Sequence, residues 1–207
     1  MTETETTTVP ETVQDDEISK KSILEKFQLQ NSSMILWTII SAIVGTVLYV
    51  GVALIPMPYL AEDLMLLGLL PALVIIALVG AIRGPIAGFL VGYLGEIIYG
   101  LVAYNVIVSL TIPAMAYGVM GFVVGLKTYD FTDGRSLLKL SILSVVGYVF
   151  TILLVVVNGI GIEVYSLDAG LLYIMLPMIT MGIPTLFFLT PVVARIWHEV
   201  KNKFAPT

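Results

Sequence analysis

The sequence predicts an all-α integral membrane protein, a six-transmembrane-helix bundle with both termini in the cytoplasm. Three observations lead there. The 207-residue chain is 58% hydrophobic and 12% charged, against about 45–50% and about 25% in soluble domains. Its apolar residues gather into six runs near the ~20 residues that cross a bilayer core. Threading those runs through a membrane puts every lysine and arginine on the same side, as the positive-inside rule requires of a cytoplasmic face.

The chain opens on "MTETETTTVPETVQDDE", threonine-rich, acidic and without apolar periodicity, which predicts disorder. Its start is acidic where a signal peptide is basic, and no short apolar core follows directly. Residues 1–30 hold seven acids and three lysines, so the net charge of −5 arises mostly there. The segment "ISKKSILEKFQLQ", 18–30, reads either as a short interfacial helix with Ile23, Leu24 and Phe27 toward the bilayer, or as a linker. Residues 1–33 are thus a tail, 34–197 the membrane domain and 198–207 a short cytoplasmic tail.

The predicted crossings are 34–56, 64–82, 85–103, 105–126, 137–159 and 171–194. Pro85 opens the third at its first turn, where proline is tolerated. The stretch 85–126 has 42 residues, too many for one crossing, so it divides at "AYN", 103–105. Lys20, Lys21, Lys26, Arg83, Lys127, Arg135, Lys139, Arg195, Lys201 and Lys203 then share the cytoplasmic side. The outer loops carry Glu62, Asp63, Glu163 and Asp168.

Several chemistries are unsupported. Cysteine is absent, and the single histidine, His198, sits in the charged C-terminal tail. No GxxxxGK[ST] loop for nucleotide phosphates occurs. No nucleophile–base pair, metal set or nucleic-acid-binding signature emerges, so the expectation is a non-enzyme without cofactor or metal. The partners expected from composition are the lipid bilayer and whatever the bundle binds.

The polar residues inside the predicted crossings are few. In "RGPIAGFLVGYLGEIIYG", 83–100, Gly84, Gly88, Gly92, Glu96 and Gly100 recur every fourth position and share one helical stripe. Such a stripe admits a second helix at close range. Glu96 stands in it near the bilayer middle, toward the outer half. An intramembrane acid is costly and marks function by default, the alternative being a protonated group bonded to a neighbouring helix. Tyr99, Tyr104 and Tyr165 fall at the outer end, with Tyr59 in the first loop. They are either interfacial aromatics or site residues. Tyr93, Tyr117 and Tyr148 lie nearer the middle, where a hydroxyl needs a partner. Asn105 and Asn158 bracket the rim as caps or ligand contacts. Asn158 also precedes "GIGIEVYSLDAG", a glycine-rich stretch read as a lid. The candidate substrate-binding set is therefore Glu96, Tyr99, Tyr104, Asn105, Tyr117, Asn158 and Tyr165.

Two further patterns are helical. Pro177, Pro184 and Pro191 repeat at seven-residue spacing on one face of the sixth crossing, and each removes a backbone hydrogen bond. Met175, Met178 and Met181 interleave with them as adaptable packing. In the first crossing Thr38, Ser41, Ala42, Gly45 and Thr46 form a broad small-residue face, suited to packing inside the bundle or to docking a second membrane protein.

The stretch "LLPALVIIALVGAIRGPIAGFLVGYLGEIIYGL", 69–101, resembles the substrate-binding S components of energy-coupling factor (ECF) transporters. It has a short second helix, a tight "GP" turn and a glycine-rich third helix ending near an acid. The likeness in architecture covers roughly 34–197, and the small face of the first crossing is similar to that family's alanine-rich docking motif. The resemblance implies a high-affinity binding subunit for a vitamin or similar organic micronutrient, in the plasma membrane of a prokaryote. It implies partnership with a transmembrane coupling protein and two cytosolic ATPase subunits, whose ATP hydrolysis topples the S component to release substrate inside. The alternative reading is a membrane scaffold of the rod-shape-determining or assembly kind.

Overall fold

A computed structural model describes residues 27, 31–55, 69–105 and 111–204. The acidic tail 1–17 and most of 18–30 lie outside the described residues. So do Tyr59, Glu62 and Asp63, residues 64–68 of the second predicted crossing and 106–110 of the fourth.

Among the described residues all regular structure is helical. The helices are α1 (Ser32–Ala53), α2 (Pro71–Arg83), α3 (Pro85–Tyr104), α4 (Thr111–Gly125), α5 (Gly134–Gly161) and α6 (Leu167–Lys203, with Phe204 closing its last turn). Four of them, α1, α3, α5 and α6, are long and apolar enough to cross a membrane. The described parts of α2 and α4 are equally apolar but shorter, 13 and 15 residues. At 1.5 Å per residue they rise only about 20 Å. Large apolar side chains cover the outside, among them Ile39, Ile43, Val47, Phe150 and Phe188. That is the surface of a protein whose solvent is lipid, and it makes the chain a multi-pass membrane protein.

The α2–α3 corner is one residue long. Gly84 closes α2 through its N–H to the Gly80 carbonyl and also caps α3, at φ 89°. Only glycine holds that conformation without strain, and Pro85 then supplies the fixed φ of a first helical turn.

The glycine stripe of α3 meets α4. A Cβ on Gly88 would fall on the backbone of Gly121, and one on Gly92 would fall on the backbone of Tyr117. Gly125 abuts Gly84 and Pro85 in the same way. The two helices touch main chain to main chain, the arrangement that small residues four apart permit in membranes. Here α4 brings its own glycines, Gly118, Gly121 and Gly125.

The small face of α1 also turns inward. Thr38, Ala42, Gly45 and Thr46 are buried against α2 and α3, and Ser41 is half-buried at the edge. A Cβ on Gly45 would stand 2.7 Å from Val91 and 2.9 Å from Val79. Of the two roles open to this face in the sequence, the fold uses it for packing inside the bundle.

The C-terminal half differs from the expected boundaries. Helix α5 runs on to Gly161, and the glycine-rich lid shortens to a connection at 162–166. Helix α6 starts at Leu167 and continues through His198, so the expected tail is helical to Phe204. The three prolines do not break it. A π-helical stretch precedes each one: Gly170–Met175, Met178–Gly182 and Thr185–Leu189. Proline cannot donate to the carbonyl four residues back and its ring collides with it. Widening the preceding turn relieves that collision, and π turns of this sort occur as local bulges inside α-helices.

One bond ties α6 to the front of the bundle. The Leu70 N–H at the start of α2 donates to Thr185 Oγ1 at 2.8 Å. A helix N-terminus leaves its first N–H groups unpaired, and Thr185 satisfies one from 115 positions away. The connection between α4 and α5 is held by Asp133, which caps α5 at the N–H groups of Arg135 and Ser136. Arg195 of α6 reaches the Thr132 carbonyl at 3.2 Å. Arg83, Lys127, Arg135, Lys139 and Arg195 thus gather at one end of the bundle, and Glu163 and Asp168 stand at the other.

Candidate functional site

Two small-residue stripes end in polar side chains, and the two ends meet. On α3 the stripe Gly84, Gly88, Gly92 runs into Glu96. On α1 the buried row Thr38, Ala42, Gly45, Thr46 runs into Tyr49. The Tyr49 hydroxyl donates to Glu96 Oε2 at 2.7 Å. Its ring lies over Gly95, where a Cβ would stand 2.6 Å from the ring edge. Tyr49 is 4% exposed while Glu96 is half-buried, so the carboxyl faces the bundle, and its second oxygen has no partner among the described residues.

Three more phenols surround this pair. Tyr99, Tyr117 and Tyr148 all stand within electrostatic range of the Glu96 carboxyl. Tyr148 is fully buried at the middle of α5, and its hydroxyl has no hydrogen-bond partner among the described residues. The hydroxyl end of its ring lies directly on Gly182, at the end of the second π-helical stretch of α6. Glu96 and Tyr49 are hydrogen-bonded, and Tyr117 of α4 and Tyr148 of α5 lie within electrostatic range of Glu96, so polar groups of four helices cluster inside an apolar bundle.

The other candidates have more local roles. Tyr99 and Tyr104 place their hydroxyls 3.5 Å apart with rings edge to face, and Tyr104 is 66% exposed. Asn105 ends α3 in the left-handed region at φ 54°, its N–H returning to the Leu101 carbonyl. Asparagine tolerates that conformation, so its position is explained as a cap. Asn158 is half-buried and lines a groove of about 410 Å³ on the outer surface, with Ile112, Phe150, Leu153 and Val157. Tyr165 folds back on α5: its hydroxyl donates to the Val155 carbonyl at 2.9 Å and its ring covers Gly159 and Gly170. Burial there holds its phenol above the ordinary value. The structure thus gathers Glu96, Tyr99 and Tyr117 and leaves Tyr104, Asn105, Asn158 and Tyr165 on the rim, apart from the buried cluster.

Tyr49 is missing from the sequence-derived set. The signal that finds it is the one that finds Glu96: a polar side chain one turn past a run of small residues. Tyr148 carries no such signal, because its neighbour Gly182 is 34 positions away.

At the basic end, Asp130 accepts both the N–H and the hydroxyl of Thr132, at 2.8 and 2.7 Å. Those bonds hold its carboxyl below the usual value. Among the described residues no group of histidine, aspartate and glutamate is arranged to hold a metal ion. No protein-family model, curated protein or solved structure matches this chain.

Proposed function

We propose that this chain is a membrane-embedded binding subunit for the uptake of a vitamin or related organic micronutrient, like the S components of ECF transporters. In this reading six helices cross the plasma membrane of a prokaryote, with both termini and the basic end in the cytoplasm. A transmembrane coupling protein and two cytosolic ATPase subunits supply the energy, and the chain itself is not an enzyme.

The observation that carries this reading is the polar cluster around Glu96. An acid inside the membrane is costly, and a fully buried phenol without a partner among the described residues adds roughly 1–3 kcal/mol. An apolar site with a few convergent polar groups is the usual form of a small-molecule pocket. An aromatic heterocycle with a donor group suits the free oxygen of Glu96 and the faces of Tyr99 and Tyr117. Because Thr38, Ala42, Gly45 and Thr46 lie inside, a coupling protein meets α1 through its outward residues Ile39, Ile43 and Val47.

One observation favours the scaffold reading. Glu96 is already partnered within the chain by Tyr49, as a purely structural acid would be. The two readings separate in a thermal-shift screen of the purified protein against riboflavin, thiamin, biotin, cobalamin and pyridoxine. A ligand at a hundred times its Kd stabilises by about 2.7 kcal/mol, so one member should raise the melting temperature. A flat response to all of them, with no coupling protein co-purifying, supports the scaffold.

A further inference from the structure

Helix α6 is longer than a crossing needs. From Leu167 to Trp197 it advances 30 positions, about 45 Å of rise, the thickness of a bilayer with its headgroup layers. Residues 198–204 continue the helix past that level by only about 10 Å. Both tryptophans of the chain belong to the basic end. Trp37 of α1 is 54% exposed, with the Arg83 guanidinium 5.5 Å from its ring centre. Trp197 follows Arg195 by two positions. Tryptophan beside basic residues is the usual mark of a membrane–water boundary.

The outward apolar row of α6 does not stop at this boundary. Phe188, Val192, Ile196 and Val200 stand four apart and are 42–68% exposed, and Trp197 adjoins the row. Residues four apart share one face of a helix. The opposite, polar face is satisfied within the chain. Arg195 donates to the Thr132 carbonyl and lies 3.8 Å from Glu199, and Asn202 meets His198 at 2.9 Å. The apolar row ends in lysines: Lys201 is one turn beyond Trp197, and Lys203 one turn beyond Val200. Both are exposed, and neither has an ion-pair partner among the described residues.

We propose that the last turns of α6, 195–203, form a contact for anionic phospholipid headgroups at the basic end of the bundle. Continuity identifies the occupant as the bilayer. The row that meets acyl chains at Phe188 and Val192 runs on through Ile196 and Val200 without a break, so the same solvent covers its end. Charge identifies the lipid. Lys201 and Lys203 lie about 6 and about 9 Å of rise past Trp197, within a Debye length of about 8–10 Å from the headgroups. Their stems follow the apolar row while the ammonium groups reach phosphate. Each lysine near an anionic surface favours it about fivefold over a neutral one. The contact needs only a bilayer at the basic end, so it stands whether or not the chain takes up a micronutrient.

Trp37→Phe leaves Trp197 as the chain's single tryptophan. The full chain carrying this change is placed in phosphatidylcholine vesicles, with or without half phosphatidylglycerol. A native melting temperature is required first, and Trp37→Tyr replaces any variant that fails. In the anionic vesicles Trp197 should be quenched by lipids brominated near the headgroup end of the acyl chain. Acrylamide should quench it less there than in neutral vesicles. Salt at about 1 M shortens the Debye length to about 3 Å and should remove the difference. Lys201→Gln with Lys203→Gln should cost roughly 25-fold in anionic preference and so remove it as well. Trp37, followed in the Trp197→Phe protein, should not respond to the lysine changes. Acrylamide quenching as strong as for free N-acetyltryptophanamide in both lipids would put the helix end in water and overturn the proposal. Equal protection in both lipids overturns it too, since the contact is then apolar only. Protection that fades as the protein is diluted with lipid makes the occupant a second copy, with the same result.

Discussion

The Tyr49 hydroxyl and the Glu96 carboxyl, 47 positions apart, meet at 2.7 Å because Gly95 has no side chain to keep the Tyr49 ring away. The bond joins α1 to α3 where each helix exchanges small residues for a polar one. It fixes one carboxyl oxygen and leaves the other as the open hydrogen-bonding position of the cluster.

A double-mutant cycle on this pair gives the first prediction. Tyr49→Phe and Glu96→Leu should each lower stability by about 0.5–1.5 kcal/mol if the carboxyl is protonated, and by about 1.5–3 kcal/mol if it is charged. The double variant should lose less than the sum, because both changes remove one bond. Melting of the four proteins in detergent checks this. Strict additivity would mean the contact contributes nothing. Where a ligand is in hand, Glu96→Gln should also weaken its binding roughly ten- to a hundred-fold.

Glycine-to-alanine pairs test the main-chain contact of α3 and α4. A Cβ at Gly121 meets the backbone of Gly88, which cannot turn aside, so Gly121→Ala should cost about 1–3 kcal/mol or more. Gly51, in α1, has nothing among the described residues within 4 Å of its Cβ position. Gly51→Ala should instead stabilise by about 0.5–1 kcal/mol through helix propensity. Opposite shifts in melting temperature are expected, and equal shifts would contradict the packing.

Tyr148→Phe removes a buried hydroxyl that has no partner among the described residues. The ligand-free protein should become more stable, by up to about 1–3 kcal/mol, the cost of an unmade hydrogen bond. A fall in melting temperature would show that the hydroxyl is bonded in the membrane, to water or to another group.

Asp130 provides a pH test at the basic end. Its folded pKa lies below the ordinary value of 3.8 because Thr132 donates two hydrogen bonds to the ionised form. A depressed carboxyl pKa contributes stability above the unfolded pKa and loses it as pH falls through the folded one. The connection 126–133 should therefore hold at neutral pH and loosen only below about pH 4. Thr132→Val keeps the N–H bond but removes the hydroxyl. It should move the Asp130 titration upward, as followed by carboxyl NMR shifts.

Composition and residue spacing alone set the solvent, the helical class and the close approach of α3. Hydropathy requires lipid outside, because only there is a chain this apolar stable. The repeat of Gly84, Gly88 and Gly92 requires a close neighbour, because a helical stripe without side chains is stable only when another backbone covers it. Which neighbour that is depends on how the helices assemble: it is α4, with glycines of its own. Assembly also turned the small face of α1 inward, since a face fit for packing is equally fit for docking and only the fold assigns it. Likewise the prolines of α6 marked a perturbed helix, but local sequence does not say whether a proline kinks, ends or widens a turn. The partners of Glu96 were hidden for a simpler reason. Tyr49 and Tyr148 reach the cluster over Gly95 and Gly182, and contacts between residues far apart in sequence depend on how helices cross, which helical periodicity within one segment does not encode.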